Sequence, residues 1–319
     1  MKPQIREIIQ ELFFQNMGKI GFPHARNPQW QQYKEFFPWD ITEPVLVEEL
    51  FKQVRPDYVY HFACYAAEGL SHFIKRFNYG NNLLGSVNLI NCAVNYEVKC
   101  FVFTSSMAVY GSQQVPFREE MIPMPEDSYG IAKYAVEREL EISHKMFRLP
   151  YVIFRPHNVF GERQNIGDKY RNVVGIFMNQ CLKGEPMTIF GNGNQMRAFS
   201  YVGGVAPIIS ECVDNPKALN RTFNIGSDYP ITVNQLSEDV ATVMKYPWRV
   251  ARFDVRQEVA KAFCDHSKLE RVFGEIKSLS HMAALLRMAE WVKEHGARQS
   301  KEFKDIEITK NLPPSWVHA

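Results

Sequence analysis

The sequence predicts an α/β protein: a doubly wound parallel sheet followed by a smaller, mixed α/β lobe. Three observations carry this. Short runs of apolar, β-branched and aromatic residues alternate with amphipathic stretches of helix length, the pattern of βαβ units. One run, Phe101-Val102-Phe103-Thr104, is apolar at successive positions and ends abruptly in Ser105-Ser106, as a strand buried on both faces does at its carboxyl end. Beyond Arg155 the texture changes to longer polar segments between shorter elements. With 319 residues the chain can bury a large core. We expect the sheet domain over residues 1–155 and the second lobe over 156–319, with elements crossing back between them.

Residues 4–16 read as an amphipathic helix, with Ile5, Ile8, Ile9, Leu12 and Phe13 at helical spacing, and residues 17–33 as loop. A short strand is expected over 35–41, irregular because of Pro38. Thr42 is placed to cap a helix over 43–54, with Pro44 in its first turn. Strands over 57–63, 99–104 and 150–154 then alternate with helices over 78–94 and 129–146. In the second lobe we expect helices over 173–182, 205–213, 234–244, 265–273 and 282–295, and strands over 186–190 and 222–225. Gly203-Gly204 precedes the helix over 205–213, where glycine is a tolerated cap.

A formal net charge of +2 and the lack of any long basic run exclude an evident nucleic-acid or membrane-surface footprint. No apolar run approaches the ~18 residues that span a bilayer. Glu7 and Glu11 interrupt what would otherwise be a signal-peptide core. The six cysteines are scattered without C-x-x-C spacing, which points to reduced structural thiols and a cytosolic location rather than a zinc site.

The chemistry-bearing residues follow the central strand. Tyr129 and Lys133 stand at i and i+4, so on a helix they share a face. An ammonium beside a phenol favours the phenolate and makes a base. Ser106 sits at the carboxyl end of the strand, the edge where ligands of open α/β sheets gather.

Together with His61-Phe62-Ala63, Asn81-Asn82, Tyr110-Gly111, Arg155-Pro156-His157-Asn158-Val159-Phe160-Gly161 and Asp265-His266-Ser267-Lys268, these residues resemble the extended short-chain dehydrogenase/reductase superfamily. Within it they are most similar to the UDP-glucose 4-epimerase-like proteins of the NAD-dependent epimerase/dehydratases. The resemblance implies a Rossmann-like sheet, NAD as cofactor, a nucleotide sugar as substrate and a homodimer formed through the helices over 78–94 and 129–146. It implies Ser106, Tyr129 and Lys133 as catalytic residues: Tyr129 the base toward the sugar 4-hydroxyl, Ser106 its hydrogen-bonding partner, Lys133 also a ligand of the nicotinamide ribose. Relatives that dehydrate or decarboxylate carry acids just after the strand hydroxyl, whereas Met107 and Ala108 stand here, so epimerisation is favoured.

For the cofactor the resemblance implies Asp40 and Ile41 at the adenine, Ala63, Tyr65 and Ala66 after the next strand, and Asn82. For the nucleotide sugar it implies Asn158, Asn172, Arg197, Arg256 and Glu258, with His157 either touching substrate or packed. The family's opening G-x-x-G-x-x-G is not found: ahead of Asp40 stand only Gly18 and Gly21. Three explanations stay open at this point. The chain is an incomplete product of a longer enzyme, or a non-catalytic nucleotide-sugar-binding or dimerising protein, or it holds NAD in another way.

Overall fold

The computed structural model describes residues 37, 39–256, 259–299, 302–313 and 316. The expected helix over 4–16, most of the strand over 35–41 and Glu258 lie outside them. Helix α1 (Pro44–Val54) leads into β1 (Tyr58–His61), and a helical run follows in three pieces: Lys75–Tyr79, a π-turn over Gly80–Leu84, and α2 (Gly85–Asn95). Next come β2 (Cys100–Thr104), α3 (Ser128–Phe147), β3 (Tyr151–Pro156), β4 (Val159–Phe160) and α4 (Val173–Lys183). The chain goes on through β5 (Met187–Phe190), β6 (Met196–Ala198), β7 (Ser200–Tyr201), α5 (Val202–Glu211) and β8 (Arg221–Ile225). It ends with β9 (Pro230–Thr232), α6 (Val233–Met244), β10 (Val250–Phe253), β11 (Lys261–Ala262), α7 (Ser267–Phe273) and α8 (His281–His295).

The main sheet has the order β1-β2-β3-β8 and all its pairs are parallel. β8 comes from beyond residue 155, so the second half of the chain returns to complete the sheet. Strand alternation explains why β2 and β3 read as unbroken apolar runs. Phe101, Phe103 and Ile153 face a core made with Val47, Phe51, Ile90, Val136 and Leu140 of α1, α2 and α3. Val102, Val152 and Phe154 point the other way, into the larger core with Phe177 of α4, Leu236 of α6 and Met288 of α8. Both faces are therefore covered by helices.

The second lobe adds small pairings, β5 with β10, β6 with β9 and β11, and β4 with β7. Two local expectations are corrected. Thr42 does not cap α1: the cap position is Glu43, without a side-chain bond, and Pro44 opens the helix. Gly203 is more than a tolerated cap, since a Cβ there would lie 2.4 Å from Cε1 of Tyr201. That approach is what lets α5 start immediately after β7. Among the described residues no helix is long and apolar enough to cross a membrane, and no group of His, Cys, Asp or Glu is arranged to hold a metal ion.

Candidate active site

The carboxyl ends of β1, β2 and β3 open into a cavity of about 190 Å³ whose wall includes Ser106, Tyr129, Glu68, Asn158, Gln164 and Asn172. Local chemistry brings the first two together. The Ser106 hydroxyl accepts from the Ala108 N–H at 3.1 Å and so caps the single turn Met107–Tyr110. Asp127 caps α3 by accepting from Gly130 N–H at 2.8 Å, and the Tyr129 N–H donates to Ser71 Oγ at 3.2 Å. A Cβ on Gly130 would lie 2.7 Å from the Ala108 carbonyl oxygen, so only glycine lets the first turn of α3 close onto the serine turn. The outcome is that the Tyr129 and Ser106 side chains stand together in the cavity wall, near enough for the serine hydroxyl to favour the phenolate.

Burial raises the Tyr129 phenol well above its ordinary value; Cys64 and Glu68 raise it further, and the Ser106 hydroxyl works against them. The net lowering of this phenol expected from Lys133 is not reached, because burial outweighs it. The Lys133 ammonium donates to the Thr104 carbonyl at 2.6 Å, stands 4.6 Å from the Phe103 ring centroid, and is 5.8 Å from that of Tyr129. Desolvation of a 6% exposed phenol outweighs a cation held at that range. His61, behind Lys133, is driven down to about 3 by burial and then by that ammonium, so it stays neutral and bonds Ser86 Oγ at 2.7 Å.

Beneath the site lies a buried polar chain that sequence reasoning missed. Ser105 Oγ donates to Glu137 Oε1 at 2.5 Å, and Arg155 binds both oxygens of Glu137 at 3.0 and 2.6 Å. Arg155 Nη1 also donates to the Tyr110 hydroxyl at 2.7 Å, which donates to Asn224 Oδ1 at 2.7 Å. The chain ties β2, α3, β3 and β8 together one residue from Ser106. Its signal was available: Glu137 continues the i+4 series of Tyr129 and Lys133, and an acid on a buried helix face needs a partner.

The other expected residues divide. Asn158 and Asn172 reach the cavity with Ser106 and Tyr129, as does Ala66. Asn158 commits its Nδ2 to the Ala198 carbonyl at 3.1 Å, and Asn172 Nδ2 donates to the Val159 carbonyl. Among the described residues, Asn172 Oδ1 and Gln164 Oε1 are buried acceptors without a partner, which suits a wall that receives hydroxyl or amide donors. Gln164 was not singled out from sequence; nothing short of the cavity reveals it.

Asn82 is not brought to this cavity wall. It is 1% exposed, and its amide clamps the Tyr65 backbone (2.8 Å to N, 3.1 Å to O) and bonds Asn78. Tyr65 itself is packed between Phe77 and Phe303, and Ala63 is buried. Asp40 accepts from the Thr42 N–H at 2.8 Å, a turn bond ahead of α1, and Ile41 packs against Gly85. Arg197 and Arg256 are not brought to this cavity wall. Arg197 donates to the Met196 and Val259 carbonyls at 2.8 and 2.5 Å, and Arg256 stacks 3.7 Å from the Phe190 ring centroid.

The sequence profile of the NAD dependent epimerase/dehydratase family matches residues 8–226. A putative UDP-glucose 4-epimerase of Methanocaldococcus jannaschii is 31% identical over 220 residues, covering 67% of this chain and 70% of that protein. A dTDP-D-glucose 4,6-dehydratase of Dictyostelium discoideum is 24% identical over 66% of this chain, which spans 50% of that relative's length. Among solved structures, the UDP-glucose 4-epimerase of Thermotoga maritima with UDP-glucose superposes with a TM-score of 0.78 at 31% identity, covering 82% of this chain and 84% of that one. The Thermus thermophilus UDP-glucose 4-epimerase in complex with NAD gives 0.76 at 26% identity, covering 81% and 84%.

Proposed function

Because this chain belongs to the NAD dependent epimerase/dehydratase family, we propose that it is a nucleotide-sugar 4-epimerase of the UDP-glucose/UDP-galactose type. The observation that carries the reading is that Ser106 and Tyr129 share the wall of one cavity, the serine followed on its own turn by Met107 and Ala108 rather than an acid. Tyr129 Oη takes the proton of the sugar 4-hydroxyl and later returns it; Ser106 Oγ bonds both and keeps them aligned. NAD, when bound, supplies the reversible hydride acceptor.

The protein's residues suit the nicotinamide end of that cofactor. Lys133 is 1% exposed, and Thr104 takes one of its three donors, which leaves a buried ammonium suited to ribose hydroxyls. That cation, and the positive charge of an oxidised nicotinamide, oppose the burial that holds the phenol protonated. Asn158 and the orphan acceptors of Gln164 and Asn172 orient the sugar nucleotide.

Glu68 bears on the choice of sugar. It is exposed and lines the cavity, and Arg171, also in the wall, is paired with Asp168 at 3.0 Å. A hexuronate would bring a second carboxylate toward Glu68, so neutral hexoses are preferred. UDP-glucuronate should bind about tenfold more weakly than UDP-glucose. Glu68→Gln should narrow that gap in a calorimetric titration, and an unchanged ratio refutes the role. The same carboxylate favours one second reading, 4,6-dehydration with Glu68 as the acid.

A homodimer and a cytosolic location complete the proposal. Ile131, Ile142 and Met146 form a stripe along α3 that is 43%, 45% and 68% exposed, and the six cysteines are unpaired. Sedimentation equilibrium reads the dimer directly. The activity is tested by absorbance of NAD released on denaturation and by conversion of UDP-glucose to UDP-galactose. No turnover with NAD and UDP-glucose in excess overturns the epimerase. A 4-keto-6-deoxy product puts dehydration in its place, and binding without any product makes the chain a nucleotide-sugar-binding protein.

A further inference from the structure

Between the substrate cavity and the surface runs a chain of three titratable groups that the proposed chemistry does not use. His157 is 1% exposed in the cavity wall, and its Nε2 lies 3.0 Å from Nε2 of His266. His266 is 2% exposed, and its Nδ1 lies 2.6 Å from Asp228 Oδ1. The Asp228 side chain is 66% exposed and lines a second cavity, of about 230 Å³. At the inner end, His157 Nδ1 is 3.2 Å from the Ala198 carbonyl oxygen, which also accepts from Asn158 Nδ2 at 3.1 Å.

These partners fix the proton count. A carbonyl oxygen only accepts, so His157 Nδ1 carries a hydrogen. Ser200 agrees: its hydroxyl proton goes to the His157 carbonyl at 2.8 Å, so toward Nδ1, 3.3 Å away, its oxygen can only accept. The Nε2–Nε2 contact holds one more hydrogen and the His266–Asp228 contact a third. Two neutral imidazoles and a carboxylate supply only two. Burial and the neighbouring His266 push His157 down to about 3, so the extra proton belongs to the outer pair. His266 is then an imidazolium donating from both nitrogens, to His157 and to the Asp228 carboxylate.

We infer that Asp228, His266 and His157 form a singly protonated latch that positions Asn158 in the substrate cavity and lets go when the latch proton is lost. With that proton gone, two lone pairs must face each other at 3.0 or 2.6 Å. His157 packs closely against Gly226, where an added Cβ would lie 2.3 Å from its Nε2. Relief requires the ring to turn, and turning gives up the bond to the Ala198 carbonyl, the acceptor to which Asn158, at φ 42, is also anchored.

Glu270, Glu275 and His281 share the second cavity with Asp228. Asp265 precedes His266 and is engaged by Ser267 Oγ at 2.5 Å and by Arg118 at 3.4 Å. Lys268 stands over Phe223, 5.7 Å from its ring centroid. Glu119 accepts from the Asn224 N–H at 2.7 Å, on the strand leading to Gly226. Asp228 is the carboxylate in contact with the imidazole ring itself.

The functional consequence rests on the nucleotide-sugar reading; the protonation state does not. The test follows the histidine nitrogens of ¹⁵N-labelled protein by NMR and the affinity for UDP-glucose by calorimetry, between roughly pH 5 and 9. Both His266 nitrogens should be protonated at the acidic end, and affinity should fall about tenfold as that proton leaves. Asp228→Asn keeps an acceptor but removes the counter-charge, so both transitions should move together to lower pH. His266→Gln should bind weakly at every pH and lose the pH dependence. An unprotonated His266 Nδ1 throughout, or an Asp228→Asn profile superimposable on wild type, overturns the latch. If UDP-glucose binds at no pH, the proposed function fails while the nitrogen shifts still decide the latch.

Discussion

Tyr129→Phe is expected to lower turnover by about 10²–10⁴-fold, the range lost when a positioned general base is removed. Affinity for UDP-glucose should stay close to wild type, because the phenylalanine ring fills the same buried space and Asn158, Gln164 and Asn172 are untouched. The pH profile separates loss of a base from loss of packing. The phenol is held well above its ordinary value by burial, so its reactive, deprotonated fraction grows as pH rises. Wild-type turnover should therefore climb with pH and flatten only where the phenol titrates with cofactor bound. The residual rate of Tyr129→Phe should lack that limb. A variant that keeps wild-type turnover, or loses binding as severely as rate, sinks Tyr129 as the base.

Glu137→Ala is expected to cost about 3–5 kcal/mol of stability, since it strands the Arg155 guanidinium without its counter-ion in the interior. The two side chains are 1% and 5% exposed and joined by two hydrogen bonds, so water cannot take the place of the missing carboxylate. The midpoint of urea unfolding reads the loss. A double replacement, Glu137→Leu with Arg155→Met, should recover much of it, because no charge is then left buried. Failure to recover would assign the loss to Tyr110 and Ser105, the neighbours whose bonds also vanish. A Glu137→Ala protein as stable as wild type would show that the chain beneath the site contributes nothing to the fold.

Much of the sheet could be read directly. The runs that became β2 and β3 are apolar up to Thr104 and Arg155 because alternate residues enter two different cores, and that pattern survives in one dimension. Short pairings such as β10, β11 and the β6–β9 ladder were not anticipated. Their strands are four residues or fewer, too short for any period to stand out. The run expected as one helix over 78–94 contains a π-turn over Gly80–Leu84, and a hydrophobic pattern of 3.6 does not register one extra residue.

The site shows the same division. The i, i+4 spacing of Tyr129 and Lys133 and the hydroxyls closing β2 placed each group on its own element, because local geometry suffices one helical turn apart or at a strand end, and the resemblance carried by these and the other motifs named the lineage and the pair Ser106–Tyr129. Only the tertiary structure decided the rest. Asn82 turned inward to hold a loop, Arg197 and Arg256 went to backbone carbonyls and an aromatic ring, and Gln164, Glu68 and the His157–His266–Asp228 chain entered from segments far apart in sequence. A side chain's partner is set by what burial brings within ~3 Å of it. Between residues separated by 109 positions, as His157 and His266 are, no spacing in the chain encodes that contact.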